Sequence, residues 1–119
     1  MYKIPIDFKI KKLLNSTLNQ VCFSSNCISL FFEENMSINI WGGIKISIDN
    51  QFTFYEEIFP IRNDLGINNF IDSTITNLKI NDNREILQIF FGQIGFIELI
   101  GNENFESFQV SIGIENIIV

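Results

Sequence analysis

In 119 residues there is no histidine, no alanine, two cysteines, two prolines and one tryptophan. Each shortage closes off something. Without histidine, the usual serine and cysteine nucleophile–base arrangements are unavailable. Two cysteines and no histidine fall short of the four soft ligands of a structural zinc site in one chain. Alanine is the best helix former, and its absence beside 13 phenylalanines and many isoleucines points to pleated, half-buried structure. No apolar run approaches the roughly 20 residues that a membrane-spanning helix needs. Met1 to Asp7 lacks the apolar core and small-residue cleavage site of a secretory signal. The expectation is a cytoplasmic protein without membrane attachment.

Basic residues are also scarce, eight against 14 acidic, for a net charge of -6. Lys3, Lys9, Lys11 and Lys12 stand against Asp7 in the first twelve residues, a local +3 that leaves -9 for the rest. A body of that sign repels phosphate backbones, so a nucleic-acid partner is not expected, and it attracts a basic protein. Solubility alone is the other reading of such a charge.

Reactive constellations are missing as well. Gly42-Gly43 is followed by no Lys-Ser or Lys-Thr pair and cannot be a phosphate loop. Glu33-Glu34 and Glu56-Glu57 are adjacent carboxylates. On a strand such neighbours point to opposite faces, and at a turn they sit in water, so neither pair reads as an acid–base couple. Asn81 to Glu85 has neither the length nor the spacing of a calcium loop. No catalytic residue, metal or cofactor is expected. Cys22 and Cys27 would face each other in a hairpin turning at Ser24-Ser25, and in a reducing cytosol they read as free thiols.

What is present is a repeat. Asn15-Ser16-Thr17-Leu18-Asn19-Gln20-Val21 returns 57 residues later as Asp72-Ser73-Thr74-Ile75-Thr76-Asn77-Leu78. Leu30-Phe31-Phe32 returns 59 residues later as Ile89-Phe90-Phe91, and Ile38 to Gly42 as Ile97 to Gly101. The two extra residues fall where Ser24-Ser25-Asn26 becomes Asn81 to Glu85, an insertion at a turn with the flanking period kept. The chain reads as a single domain, 1–119. Repeat one covers about 13–48, a junction about 49–70, and repeat two about 70–119.

Period-two alternation runs through both copies. It predicts strands over 1–10 (Ile4, Ile6, Phe8 and Ile10 on one face), 18–23 (burying Val21 and Phe23), 27–32, 36–41, 44–48 and 52–55, then 75–80, 86–91, 94–100 and 105–114. At most one short helix is expected, near 64–70. The fold class is all-β: an antiparallel sandwich or partly open barrel in which each copy is a meander with one apolar face, packed against the other. Phe31 and Trp41 fall on the face opposite Leu30, Phe32, Ile38 and Ile40. Either another segment covers these rings or they form an apolar anchor in a polar rim.

The run Leu14 to Phe23, followed by Ile28 to Phe32 and Ile38 to Gly42, resembles a family of small bacterial all-β proteins of unassigned function. The ending Asn104-Phe105-Glu106-Ser107-Phe108-Gln109-Val110 with Ile117-Ile118-Val119 is similar to that family's Tyr-Glu-Ser-Phe ending, with Phe105 in place of the tyrosine and Asn15 in place of a glycine at the first turn. Small acidic domains of this type look like immunity proteins of bacterial toxin systems, notably contact-dependent growth inhibition. The resemblance implies a protein that binds and neutralises a cognate toxin domain, with a basic nuclease suiting the charge. Expected contacts are Glu33, Glu34, Trp41, Asp49, Glu56 and Glu57. A small ligand- or peptide-binding β domain is the alternative, and a monomer or a weak dimer through Phe31 and Trp41 is expected.

Overall fold

The computed structural model describes residues 3–56, 66–102 and 105–119. Ten strands form: β1 (Leu18–Phe23), β2 (Ile28–Phe32), β3 (Met36–Ile40), β4 (Gly43–Ile48), β5 (Gln51–Tyr55), β6 (Asn77–Ile80), β7 (Ile86–Phe91), β8 (Gly95–Ile100), β9 (Phe108–Ile112) and β10 (Glu115–Ile118). They make two antiparallel five-stranded sheets, ordered β1-β2-β3-β9-β10 and β5-β4-β8-β7-β6. Alternate residues of both sheets point into one core, where Leu30, Ile38, Ile44, Leu87, Ile97, Leu99 and Val110 are fully buried. The fold is all-β, a sandwich.

Read as β6-β7-β8-β4-β5, the second sheet repeats the order β1-β2-β3-β9-β10 of the first with each strand five places on. The expected meanders are there, but each copy's last two strands cross into the other copy's sheet. β4 pairs with β8 from Gly43↔Ile100 to Ile48↔Gly95, and β9 pairs with β3 from Met36↔Ile112 to Ile40↔Phe108. The first crossing runs through Trp41 and Gly42, whose N–H groups both donate to the Ser107 carbonyl, at 2.8 and 2.9 Å. The approach needs glycine: a Cβ on Gly42 would lie 2.7 Å from Ser107 Cβ.

The duplication reaches into the turns. Single 3-10 turns at Ile10–Leu13 and Ile67–Phe70 lie 57 residues apart, and each is followed by a left-handed residue, Asn15 (φ 67°) and Asp72 (φ 70°). Thr17 bridges its own counterpart Thr74, their hydroxyls 3.2 Å apart. The surrounding hydrogen bonds come in matched pairs. Asn15 N–H donates to Ile75 O as Asp72 N–H donates to Leu18 O, and Leu18 N–H to Ser73 O as Ile75 N–H to Ser16 O. A pseudo-twofold axis therefore passes between the two threonines.

Three expectations are corrected. Residues 3–9 form no strand: Ile4 and Ile10 are buried, but Ile6 is 86% exposed. A turn closes with Phe8 N–H on Pro5 O, and Arg84 holds the segment from the side, Nε to Ile4 O at 2.6 Å and Nη2 to Pro5 O at 3.0 Å. Those bonds satisfy the backbone without a ladder. Phe23 points inward at the open end of edge strand β1 and remains 39% exposed, while Val21 is half-buried. Cys22 faces Ser29 rather than Cys27, because Phe23↔Ile28 is the last strand pair and Ser24 N–H closes the turn on Cys27 O; both thiols are free. The helix expected near 64–70 is the 3-10 turn Ile67–Phe70; residues 64 and 65 lie outside the described residues.

Candidate interaction surface

Both sheets turn a second face outward, and the two faces differ. On the sheet containing β1, the outward positions are Gln20, Cys22, Ser29, Phe31, Ser37, Asn39, Gln109, Ser111, Asn116 and Ile118, read from the ladder registers. None of these ten side chains is charged. The small polar groups of this face satisfy one another: Ser29 Oγ donates to Asn39 Oδ1 at 2.7 Å and Ser111 Oγ to Asn116 Oδ1 at 2.6 Å.

The corresponding face of the other sheet is aromatic. Across the strands, one row reads Phe52, Ser47, Phe96, Phe90, Asn77, and the next reads Phe54, Lys45, Glu98, Gln88, Lys79. Phe52 and Phe96 flank Ser47, and their ring centroids come within 6.1 Å above it, leaving Ser47 only 5% exposed. Phe96 continues to Phe90 at 5.2 Å. Such tilted pairs are each worth about 0.5–1.5 kcal/mol beyond area burial. Lys45 Nζ lies 4.5 Å from the Phe52 ring centre and Lys79 Nζ 5.2 Å from that of Phe90. Gln88 donates to Glu98 Oε1 at 2.6 Å. Phe52 and Phe54 nevertheless remain 60% and 58% exposed.

The pseudo-symmetry supplies an internal control. Phe90 corresponds to Phe31, but Phe96 corresponds to Ser37, Phe52 to Asn116 and Phe54 to Ile118. Core positions match in both copies, so the packing of the sandwich does not require phenylalanine at these outward sites. The aromatic strip is an addition to one face.

The residues expected to meet a partner are scattered. Glu33 and Glu34 are exposed in the turn between β2 and β3, Glu34 with φ 58°, and Glu33 Oε1 accepts the Thr17 N–H at 3.0 Å. Trp41 is half-buried at the crossing into β4. Glu56 is exposed at that same end, its carbonyl 3.5 Å from where Gly43 would carry a Cβ. Asp49 is exposed at the far end of β4, about 17 Å away at the usual rise per residue. Glu57 lies outside the described residues. Glu33 and Glu34 share one turn, Trp41 and Glu56 lie at the same end of β4, and Asp49 lies at the other end. Phe31 is 38% exposed, so its ring is not fully covered.

Phe52, Phe54 and Phe96 were missed by sequence reasoning. Their signal was available in part: Phe52 and Phe54 alternate with Gln51, Thr53 and Tyr55, so the strand offers its rings to one side. Which side faces water follows from the register with β4, where Phe52 and Phe54 stand opposite Ser47 and Lys45 while Thr53 and Tyr55 stand opposite the core residues Ile46 and Ile44. Among the described residues no group of three or more His, Cys, Asp or Glu side chains is placed to hold a metal ion, and no helix is long and apolar enough to cross a membrane. Comparison of the chain with protein-family models, with curated proteins and with solved structures finds no match.

Proposed function

We propose that this chain is a binding protein of the immunity type, which occupies a cognate bacterial toxin domain in the cytoplasm and neutralises it without chemistry of its own. The divergence of the two outer faces carries the reading. One sheet of a duplicated fold keeps a quiet polar outer surface, while the equivalent surface of the other sheet carries three phenylalanines that the core does not need. Exposed rings at an otherwise soluble surface are what a partner buries, at about 1.5–3 kcal/mol for each fully covered side chain. The charge of -6 supports a basic partner, a nuclease domain among the toxins, through steering of encounter. The family resemblance points the same way.

The test is co-expression. The C-terminal domain of any large secreted protein encoded directly upstream is induced with and without this chain, and growth is followed. Relief of arrest, with a one-to-one complex on size exclusion, supports the reading; persistent arrest with no complex rejects it. A peptide-binding β domain without toxin neutralisation is the second reading, favoured by β5, whose outer side pairs with no described residue.

A further inference from the structure

Two five-stranded sheets have four edge strands, and an edge is a template for an incoming strand unless something blocks it. Three of the four edges here carry a block. β1 is bulged between Leu18 and Gln20. β6 is four residues long and carries Lys79, and β10 is four residues long and carries Glu115. β5, Gln51-Phe52-Thr53-Phe54-Tyr55, has no bulge, charge or proline, and no described residue pairs with its free side.

The turn before β5 fixes which backbone groups look outward. Asp49 and Asn50 both have positive φ, 53° and 64°, between the paired residues Ile48 and Gln51, the geometry of a two-residue type I′ hairpin. In that hairpin the closing pair exchanges hydrogen bonds, so Gln51, Thr53 and Tyr55 aim their N–H and C=O at β4. The N–H and C=O of Phe52 and Phe54 aim out of the sheet. The same two residues carry the exposed rings, so an added strand would find a ladder and an apolar row together.

The charges around this edge select the occupant. Asp49 precedes β5 and Glu56 follows it, both exposed. A second copy pairing antiparallel through Thr53 would set Glu56 of each chain against Asn50 of the other, next to that chain's Asp49, so two carboxylates crowd each end of the pairing. Like charges so placed oppose the contact. A strand with basic ends meets them favourably. We propose that β5 is a docking edge that accepts an extended segment of a protein partner as a sixth strand, with apolar side chains beside Phe52 and Phe54 and lysine or arginine at its ends. This rests on reading the chain as a binding protein and names how it holds its partner.

The probe is a nine-residue peptide alternating valine and threonine with two lysines at each end, compared with the same peptide ended in glutamates. Binding is followed by amide chemical shifts of the full chain at low salt. The lysine peptide is expected to move the Phe52 and Phe54 amides and to bind about tenfold or more tighter than the glutamate peptide. Phe54→Pro removes an outward N–H that β4 does not use, a change edge strands accept, and should abolish binding with the melting temperature nearly unchanged. If that variant does not fold, a lysine peptide N-methylated at alternate residues replaces it and should not bind. No binding, equal affinities, shifts away from β5, binding by folded Phe54→Pro or by the N-methylated peptide, or concentration-dependent shifts of β5 without peptide would each overturn the proposal. In the co-expression assay, relief of arrest by Phe54→Pro as strong as by the unmodified chain removes the edge and leaves the immunity reading. Peptide binding at β5 without relief of arrest does the reverse.

Discussion

Gly95 sits where β8 meets the end of β4, and a Cβ there would lie 1.8 Å from the Ser47 carbonyl oxygen. No side chain can occupy that space, and its backbone is also at φ 152°. Gly95→Ala is therefore expected to cost about 3 kcal/mol or more, read as a fall in the denaturation midpoint. Because Gly95 precedes Phe96 and its Cβ would strike the Ser47 backbone opposite that ring, the same change should disturb the aromatic face, visible in the Phe96 ring resonances. Phe52→Ser with Phe54→Ser should act oppositely. Phe54 has no ring partner, so its loss should move stability by about 0.5 kcal/mol or less, and loss of Phe52, which pairs with Phe96, by about 0.5–1.5 kcal/mol, while partner binding weakens at least about tenfold. Loss of stability in step with binding would make these rings structural. At this scale the sequence was legible where alternation is strict, as in Leu30, Phe32, Ile38 and Ile40, all buried as expected. It misled at Phe23, which points inward at the end of an edge strand and stays 39% exposed.

Among elements, the N-terminal segment teaches most. Ile4, Ile6, Phe8 and Ile10 alternate as a strand would, yet alternation alone cannot supply a neighbour to pair with. Arg84, 80 residues along, takes the carbonyl of Ile4 and that of Pro5 instead. Arg84→Ala should release residues 3–9 and lower stability by about 1.5–3 kcal/mol, the usual worth of hydrogen bonds from a charged donor. Hydrogen exchange at the Ile4 amide, which donates to Arg84 O, would report it; unchanged protection would show that the segment holds without the guanidinium. The twin 3-10 turns offer a matched pair. Leu13 and Phe70 are both fully buried at equivalent positions, so Leu13→Ala and Phe70→Ala should each cost about 2–5 kcal/mol, the phenylalanine toward the upper end. The turns themselves were legible only as breaks in periodicity, because four-residue 3-10 segments leave no helical repeat to read.

For the whole molecule, the exchange of strands between copies makes the halves interdependent. β4 and β5 have no sheet to join without β8, and β9 and β10 none without β3. A fragment ending at residue 56 should show no cooperative unfolding alone and should regain it when mixed with residues 57–119. Independent folding of either piece would mean that the copies close on themselves. Charge acts at this scale too. Changing Glu33 and Glu34 to lysine moves the net charge from -6 to -2, and association with a basic partner should slow markedly at low salt and little at high salt. An unchanged on-rate would place the β2–β3 turn outside the path of encounter.

The repeat, the all-β class and the inward residues of the central strands were determined by the sequence alone, because side-chain alternation and turn composition are local and both copies state them. Tertiary structure decided which sheet each strand joins, which strands lie at the sheet edges and which of two duplicate faces is aromatic. Those depend on pairing between residues far apart in the chain, such as Lys45 with Glu98 or Asn39 with Gln109. A pattern of period two says that a strand has two faces; only its neighbours say which one meets water.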